Sequence, residues 1–148
     1  MAGDGLLVVG GRIVERHAKK VKKFKDYIIG LTGDIAYFDV VCNAINKDDP
    51  DLLPDLGSDG YWEAFALHAG GDLFHYHSST KLNPVHLTGD FHAIGSGAEY
   101  ALGAMASGKM DAQAAIKIVS LYDVTTNDVV TLETWNNGKK GDILWRCI

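Results

Sequence analysis

Residues 1–33 read MAGDGLLVVGGRIVERHAKKVKKFKDYIIGLTG, and four extended segments fit into them before any helical periodicity begins. Leu6 to Val9 is a short apolar run and Gly10-Gly11 a turn; Arg12-Ile13-Val14-Glu15 resumes an extended pattern, which predicts a hairpin. Lys19 to Lys25 mixes five lysines with Val21 and Phe24. Side chains alternate across a strand, so Val21 points inward while Lys20 and Lys22 take the other face. Tyr27 to Leu31 is a further apolar strand, ended by Thr32-Gly33-Asp34. A chain that opens with strand after strand commits its opening segment to antiparallel pairing.

Helical spacing appears next. Ile35, Phe38, Val41, Cys42 and Ile45 form one apolar face, and the Asp34 carboxylate is placed to accept hydrogen bonds from the first-turn amides. Asn46-Lys47 ends this helix. Residues 48–60 are a loop with Pro50, Pro54, Gly57 and Gly60, and its five aspartates (48, 49, 51, 55, 59) lack EF-hand spacing and read as a solvated acidic loop. Residues 62–69 and 73–77 are two strands joined by Gly70-Gly71-Asp72, a good hairpin turn. A short strand is expected within Leu87–Ile94. Gly95-Ser96-Gly97 opens a helix of small residues through Ala106, closed by Ser107-Gly108. Asp111 caps the next helix, with Ala112, Ala115, Ile116, Val119 and Tyr122 as its expected inner face. Asp128 to Trp135 reads as a strand, and the tail holds one more apolar piece, Ile143 to Trp145. Strands grouped with strands, then two helices, then strands, predict an α+β domain with an antiparallel core.

At 148 residues the chain is long enough to bury one real core, and a single domain over residues 1–148 is expected. A net charge of −5 argues against nucleic acid as the main partner. Cys42 and Cys147 are far apart, share no metal-like spacing and suggest no disulfide; Cys42, in an apolar run, fits a buried thiol in a reducing compartment. No apolar stretch is long enough to span a bilayer, and the first residues match neither a signal nor a transit peptide. The expected location is cytoplasmic, with no membrane partner and no cofactor.

Three constellations carry chemistry. His75 and His77, with His86 and His92 nearby, put two rings on one strand face as metal sites need, but no Cys or HExxH pattern completes a ligand set, and ordinary polar strand positions explain them too. Gly95-Ser96-Gly97 fits either an anion-binding turn or a tight strand-to-helix turn; it is not GxSxG. Asp4 with Lys20 fits a surface pair on adjacent strands. It also fits a lysine kept charged by a carboxylate, which depresses the proton affinity of a neighbouring amine or hydroxyl.

Five short segments follow one another in a familiar order: Ala2-Gly3-Asp4-Gly5; Lys19-Lys20-Val21; Ile29-Gly30-Leu31-Thr32-Gly33; Ala93-Ile94-Gly95-Ser96-Gly97-Ala98-Glu99-Tyr100-Ala101; and Tyr122-Asp123-Val124-Thr125-Thr126. Together they resemble the proteasome β-subunit and bacterial HslV peptidase family, threonine peptidases among the N-terminal-nucleophile (Ntn) hydrolases. The resemblance spans most of residues 2–133. It implies an αββα sandwich of two antiparallel sheets, with the family's first strand and one helix missing. It implies hydrolysis of peptide bonds in unfolded polypeptides by an N-terminal threonine, whose own amine is the general base and which forms an acyl-enzyme.

By the same resemblance Asp4 orients the lysine, Lys20 tunes the threonine, and Gly33 supplies an oxyanion-hole amide. Ser96, Asp123 and Thr126 surround the terminal amine; Thr126 stands where serine is usual. The threonine itself is expected upstream of Met1, and the alternative is a catalytically inactive, ring-forming structural homologue. The implied partners are a homo-oligomeric ring and a polypeptide substrate. The acidic loop leads almost directly to the hairpin, so one helical layer is thinner, which argues against docking of an AAA+ ATPase of the HslU type.

Overall fold

A computed structural model describes residues 1–9, 12–53, 60–80, 82–108 and 110–134. Its centre is an antiparallel pair, β5 (Tyr27–Gly33) and β6 (Trp62–His68), aligned so that Gly30 faces Phe65 and Thr32 faces Glu63. Around it β4 (Val21–Lys23), β7 (Leu73–His77) and β8 (Val85–Leu87) complete a five-stranded antiparallel sheet in the order β4-β5-β6-β7-β8. A second sheet pairs β1 (Ala2–Asp4) with β9 (Val130–Leu132), and β2 (Leu7–Val9) with β3 (Arg12–Glu15) forms the expected hairpin as a separate ribbon. Met1 prolongs the β1–β9 ladder: its amine donates to the Glu133 carbonyl at 2.7 Å, and the Glu133 amide returns a bond to the Met1 carbonyl at 2.9 Å.

Strand alternation sorts the core into layers. On one face of the large sheet Ile29, Leu31, Trp62, Ala64, Ala66 and Tyr76 meet Phe38, Val41, Cys42 and Ile45 of α1 (Phe38–Lys47). On the other face Val21, Ile28, Phe65, Leu67 and Leu73 meet Met1 and Ile94. Ala2, one residue after Met1 and therefore on the opposite face of β1, packs with Ala101 and Met105 of α2 (Ala98–Ala106) and with Ala112, Ala115, Ile116 and Val119 of α3 (Ala112–Val119). The layers run helix, sheet, sheet, helices, an αββα sandwich. Fully burying an aliphatic or aromatic side chain contributes about 1.5–3 kcal/mol, so the completely enclosed Ile28, Ile29, Leu31 and Trp62 make β5 and β6 the anchor for everything attached to them.

Local chemistry sets the ends of the helices. A 3-10 turn, Ile35–Tyr37, precedes α1, with the Asp34 carboxylate accepting the Ala36 amide at 3.0 Å. At the other end Asp48 takes the left-handed conformation (φ 53°) and its amide caps the Ala44 and Ile45 carbonyls, a C-cap that short polar side chains tolerate. Asp111 accepts the Ala114 amide at 2.8 Å at the start of α3.

Some expectations move. The strand expected within Leu87–Ile94 lies earlier, at Val85–Leu87; Gly89, at φ +116°, turns the chain out of extended geometry before a strand can continue. Tyr122 lies beyond the end of α3, is 67 % exposed rather than inward, and stacks on Tyr100 with ring centroids 5.9 Å apart. The last strand is shorter than Asp128–Trp135, at Val130–Leu132. Trp135, Cys147 and the Ile143–Trp145 piece lie outside the described residues. Among those described, no second helix stands between α1 and β6, only the 3-10 turn Pro50–Leu52, and no helix is long and apolar enough to cross a membrane. Cys42 is buried on the inner face of α1, and that burial pushes its thiol up to about 12.

Candidate active site

Close backbone approach brings the first two site residues together. A Cβ on Gly3 would lie 2.8 Å from Val21 Cγ2, so only glycine lets β1 approach so near to the start of β4. Asp4 follows at the end of β1, and Lys20 Nζ donates to its Oδ2 at 2.9 Å. The other oxygen, Oδ1, accepts the Leu6 amide at 2.8 Å. The two side chains are only 15 % (Lys20) and 9 % (Asp4) exposed, so this is an enclosed, charge-assisted pair and not the surface pair that spacing alone allows. The Lys20 carbonyl accepts the Leu31 amide at 3.0 Å, which fixes the lysine's backbone against β5.

A second cluster forms where α3 ends. The Asp123 amide donates to the Val119 carbonyl, turning the carboxylate back toward α2. Its Oδ2 accepts Ser96 Oγ at 2.7 Å and Thr126 Oγ1 at 2.9 Å. Its Oδ1 accepts both the amide (2.9 Å) and the hydroxyl (2.6 Å) of Thr125. Ser96 Oγ and Thr125 Oγ1 are themselves 2.6 Å apart. Burial pushes the Asp123 carboxyl up, but the bonds from Thr125, Ser96 and Thr126 outweigh it, and its proton affinity ends below the ordinary carboxylate value.

Two turns complete the arrangement. In the 95–97 turn, Gly95 has φ +95° and a Cβ there would sit 2.9 Å from Thr32 Oγ1, while one on Gly97 would sit 2.4 Å from Val119 Cγ1. These contacts press the turn simultaneously against β5 and α3, and seat Ser96 on Asp123. Gly33, at the end of β5, has φ +97°, and a Cβ there would run into the Tyr61 carbonyl at 2.4 Å; the position accepts no side chain.

The pieces face shared space. An inner cavity of about 40 Å³ is lined by Asp4, Lys20, Ser96, Gly97, Thr125 and Thr126 among others. An outer cleft of about 750 Å³ adds Gly33 and continues across the sheet to Glu63 and His75. Lys20, Thr32, Ser96 and Thr125 border both. Of the residues singled out from sequence, Asp4, Lys20, Ser96 and Thr126 border the inner cavity, Gly33 the outer cleft, and Asp123 holds Ser96 and Thr126 from behind. Thr125 is a further member of the cluster that the resemblance does not mark. Its signal is the Asp-x-Thr spacing, in which a carboxylate binds the amide and hydroxyl two residues on. An ammonium beside a small cavity rimmed with hydroxyls suits an amine or hydroxyl whose proton affinity must be lowered.

The histidines distribute differently. His75 and His77 do share a strand face, with Nε2 atoms 4.0 Å and 3.8 Å from the Glu63 oxygens, and His86 faces Asp72 at 3.3 Å. Among the described residues no group of three or more His, Cys, Asp or Glu is disposed to hold a metal ion.

No family model and no curated protein sequence matches the chain, but solved structures match its fold. Eukaryotic HslV from Trypanosoma brucei aligns with a TM-score of 0.65 and 20 % identity over 89 % of this chain and 90 % of that one. Thiobacillus denitrificans BPH, solved in complex with epoxomicin, gives 0.65 and 17 % over 88 % of each chain. Anbu from Hyphomicrobium sp. strain MC1 gives 0.60 and 14 % over 87 % of this chain and 73 % of that one. In fold, the chain is of the HslV and proteasome-like type.

Proposed function

We propose that the chain is a subunit of a threonine-type peptidase that hydrolyses peptide bonds in unfolded polypeptides, its nucleophile a terminal threonine encoded upstream of Met1. The observation that carries this reading is convergence: Asp4–Lys20 and the Ser96, Thr125 and Thr126 hydroxyls border one small cavity, and Gly33 borders the cleft it adjoins. In this reading a threonine amine and hydroxyl occupy the inner cavity. The Lys20 ammonium, held by Asp4, lowers the proton affinity of the hydroxyl; the amine takes its proton, and the hydroxyl oxygen attacks the scissile carbonyl. Gly33 offers its amide to the oxyanion that develops. Ser96, Thr125 and Thr126, oriented by Asp123, position the amine.

Met1 supports an upstream extension, since its side chain is 2 % exposed and its backbone sits inside a ladder, the environment of a mid-strand residue. A homo-oligomeric ring in the cytoplasm is the proposed setting; the buried free thiol of Cys42 supports a reducing compartment. The test is the N-terminal mass of the protein made from its native gene. The expected result is a longer chain that begins with threonine and gains the mass of epoxomicin on incubation. A chain that begins at Met1 would overturn the catalytic reading. Its amine would be tied to the Glu133 carbonyl, and the protein would be an inactive, ring-forming structural homologue.

A further inference from the structure

The outer cleft has a wall that the chemistry above does not use. Across the inner face of the sheet Thr32, Glu63 and His77 stand in register on β5, β6 and β7. Thr32 borders both cavities, so Glu63 lies one strand from the reacting end, with cross-strand Cβ atoms typically about 5 Å apart. Among the cleft's lining residues Lys20 and Glu63 are the charged pair, with His75 beside Glu63. The Lys20 charge is met by Asp4 at 2.9 Å. Glu63 is only 20 % exposed, and its ion-pair neighbours are His75 and His77, at 4.0 and 3.8 Å, rings that bear charge only when protonated. Burial holds His75 below the usual histidine value, so it is neutral at neutral pH. The Tyr61 hydroxyl also reaches Glu63, but it supplies a dipole and no charge.

The cleft therefore contains a half-buried carboxylate with which, among the described residues, no lysine or arginine is paired. We propose that Glu63 is the specificity-determining residue of this cleft, receiving the cationic side chain of a lysine or arginine in a peptide substrate. Leu6, Ile35 and Ile94 border the same cleft and offer apolar surface to the methylene stem. An acidic side chain at the same place meets the Glu63 charge and is disfavoured. His75 and His77 act as positioning residues, keeping the carboxylate pointed into the cleft. This inference rests on the peptidase reading for its substrate class, though the charge complementarity itself does not need a nucleophile.

The test uses the protein as its native gene makes it, with two readouts. The first is cleavage of a set of blocked fluorogenic peptides differing only in arginine, norleucine or glutamate before the scissile bond. The second is calorimetric binding of the uncleavable acetyl-Leu-Leu-Arg-amide and its norleucine counterpart. A charge-assisted bond to a half-buried carboxylate favours arginine over norleucine about 10-fold or more in both readouts. Glu63→Gln should bring that ratio toward one, and Glu63→Asp, which keeps the charge, should retain part of it. Cleavage without arginine preference, or a preference that Glu63→Gln leaves intact, overturns the proposal while the peptidase stands. Arginine-selective binding without cleavage, abolished in Glu63→Gln, upholds the subsite and overturns the peptidase. Neither cleavage nor selective binding overturns both.

Discussion

The two polar clusters that meet at the inner cavity are built on opposite plans. Asp4–Lys20 is a single ion pair on neighbouring strands, its side chains 9 % and 15 % exposed, each carboxylate oxygen committed to one donor. Asp123 instead gathers the Ser96, Thr125 and Thr126 hydroxyls and the Thr125 amide, in a half-buried setting with Ser96 exposed. The strand-held pair has no spare partner and little water. The helix-end cluster has redundancy and a route to solvent. Loss of one member should therefore be far costlier in the first cluster than in the second, because an orphaned charge is expensive in proportion to how completely water is excluded.

Lys20→Met is the sharpest way to break the comparison. It leaves the Asp4 carboxylate with the Leu6 amide alone, and breaking an enclosed pair from one side costs on the order of 3 kcal/mol. Urea unfolding of the variant should show that loss; a cost under about 1 kcal/mol, the range of exposed pairs, would mean that Asp4–Lys20 is no more demanding than a surface contact. Next in size is Gly97→Ala, expected to cost about 2 kcal/mol through overpacking, because its Cβ would lie 2.4 Å from Val119 Cγ1. Val119→Ala vacates that space. In a double-mutant cycle the two changes should then cost less together than their sum. An additive result would mean the 95–97 turn shifts freely, and the helix-end cluster would then be even softer than drawn here.

This contrast also explains what the sequence discloses. Asp4–Lys20 is legible as a functional pair through the family resemblance; spacing alone gives a surface pair, and its enclosure comes from β1 packing against the start of β4. Asp34 and Asp111 are legible as caps because capping is local chemistry within a few residues. The antiparallel α+β core follows from strands grouped with strands, while the sandwich is what the resemblance implies. Less is legible where geometry depends on distant partners. Val85–Leu87 is a three-residue edge strand held by backbone pairing to β7, with Val85 60 % exposed, and its Val-His-Leu alternation is too short to announce it. The helical period predicts Tyr122 inward, but the helix stops at Val119 and Ser120 caps it. Glu63 becomes a cleft wall only because the β6 register places it beside Thr32, opposite a turn about thirty residues later in the chain. Thr125 lies between Asp123 and Thr126 in the chain, and its part emerges only when the carboxylate's four donors are counted in space.

Asp123→Asn is expected to have the smallest effect of the three changes, and it carries its own check through pH. The amide keeps an oxygen acceptor, so the cost is the charge assistance of several bonds, about 1 kcal/mol, moderated by solvent at a half-buried site. Because folding lowers the Asp123 proton affinity, the contribution of the ionised group is present above its unfolded value of about 3.9 and is lost as pH falls through the lower, folded value. The stability gap between wild type and Asp123→Asn should accordingly be steady near neutrality and close on acidification below about pH 4. Urea midpoints across that range measure it. A gap that persists at the acid end would show that the hydroxyls bind the neutral acid as well as the carboxylate, and the cluster would then owe its order to shape and not to charge.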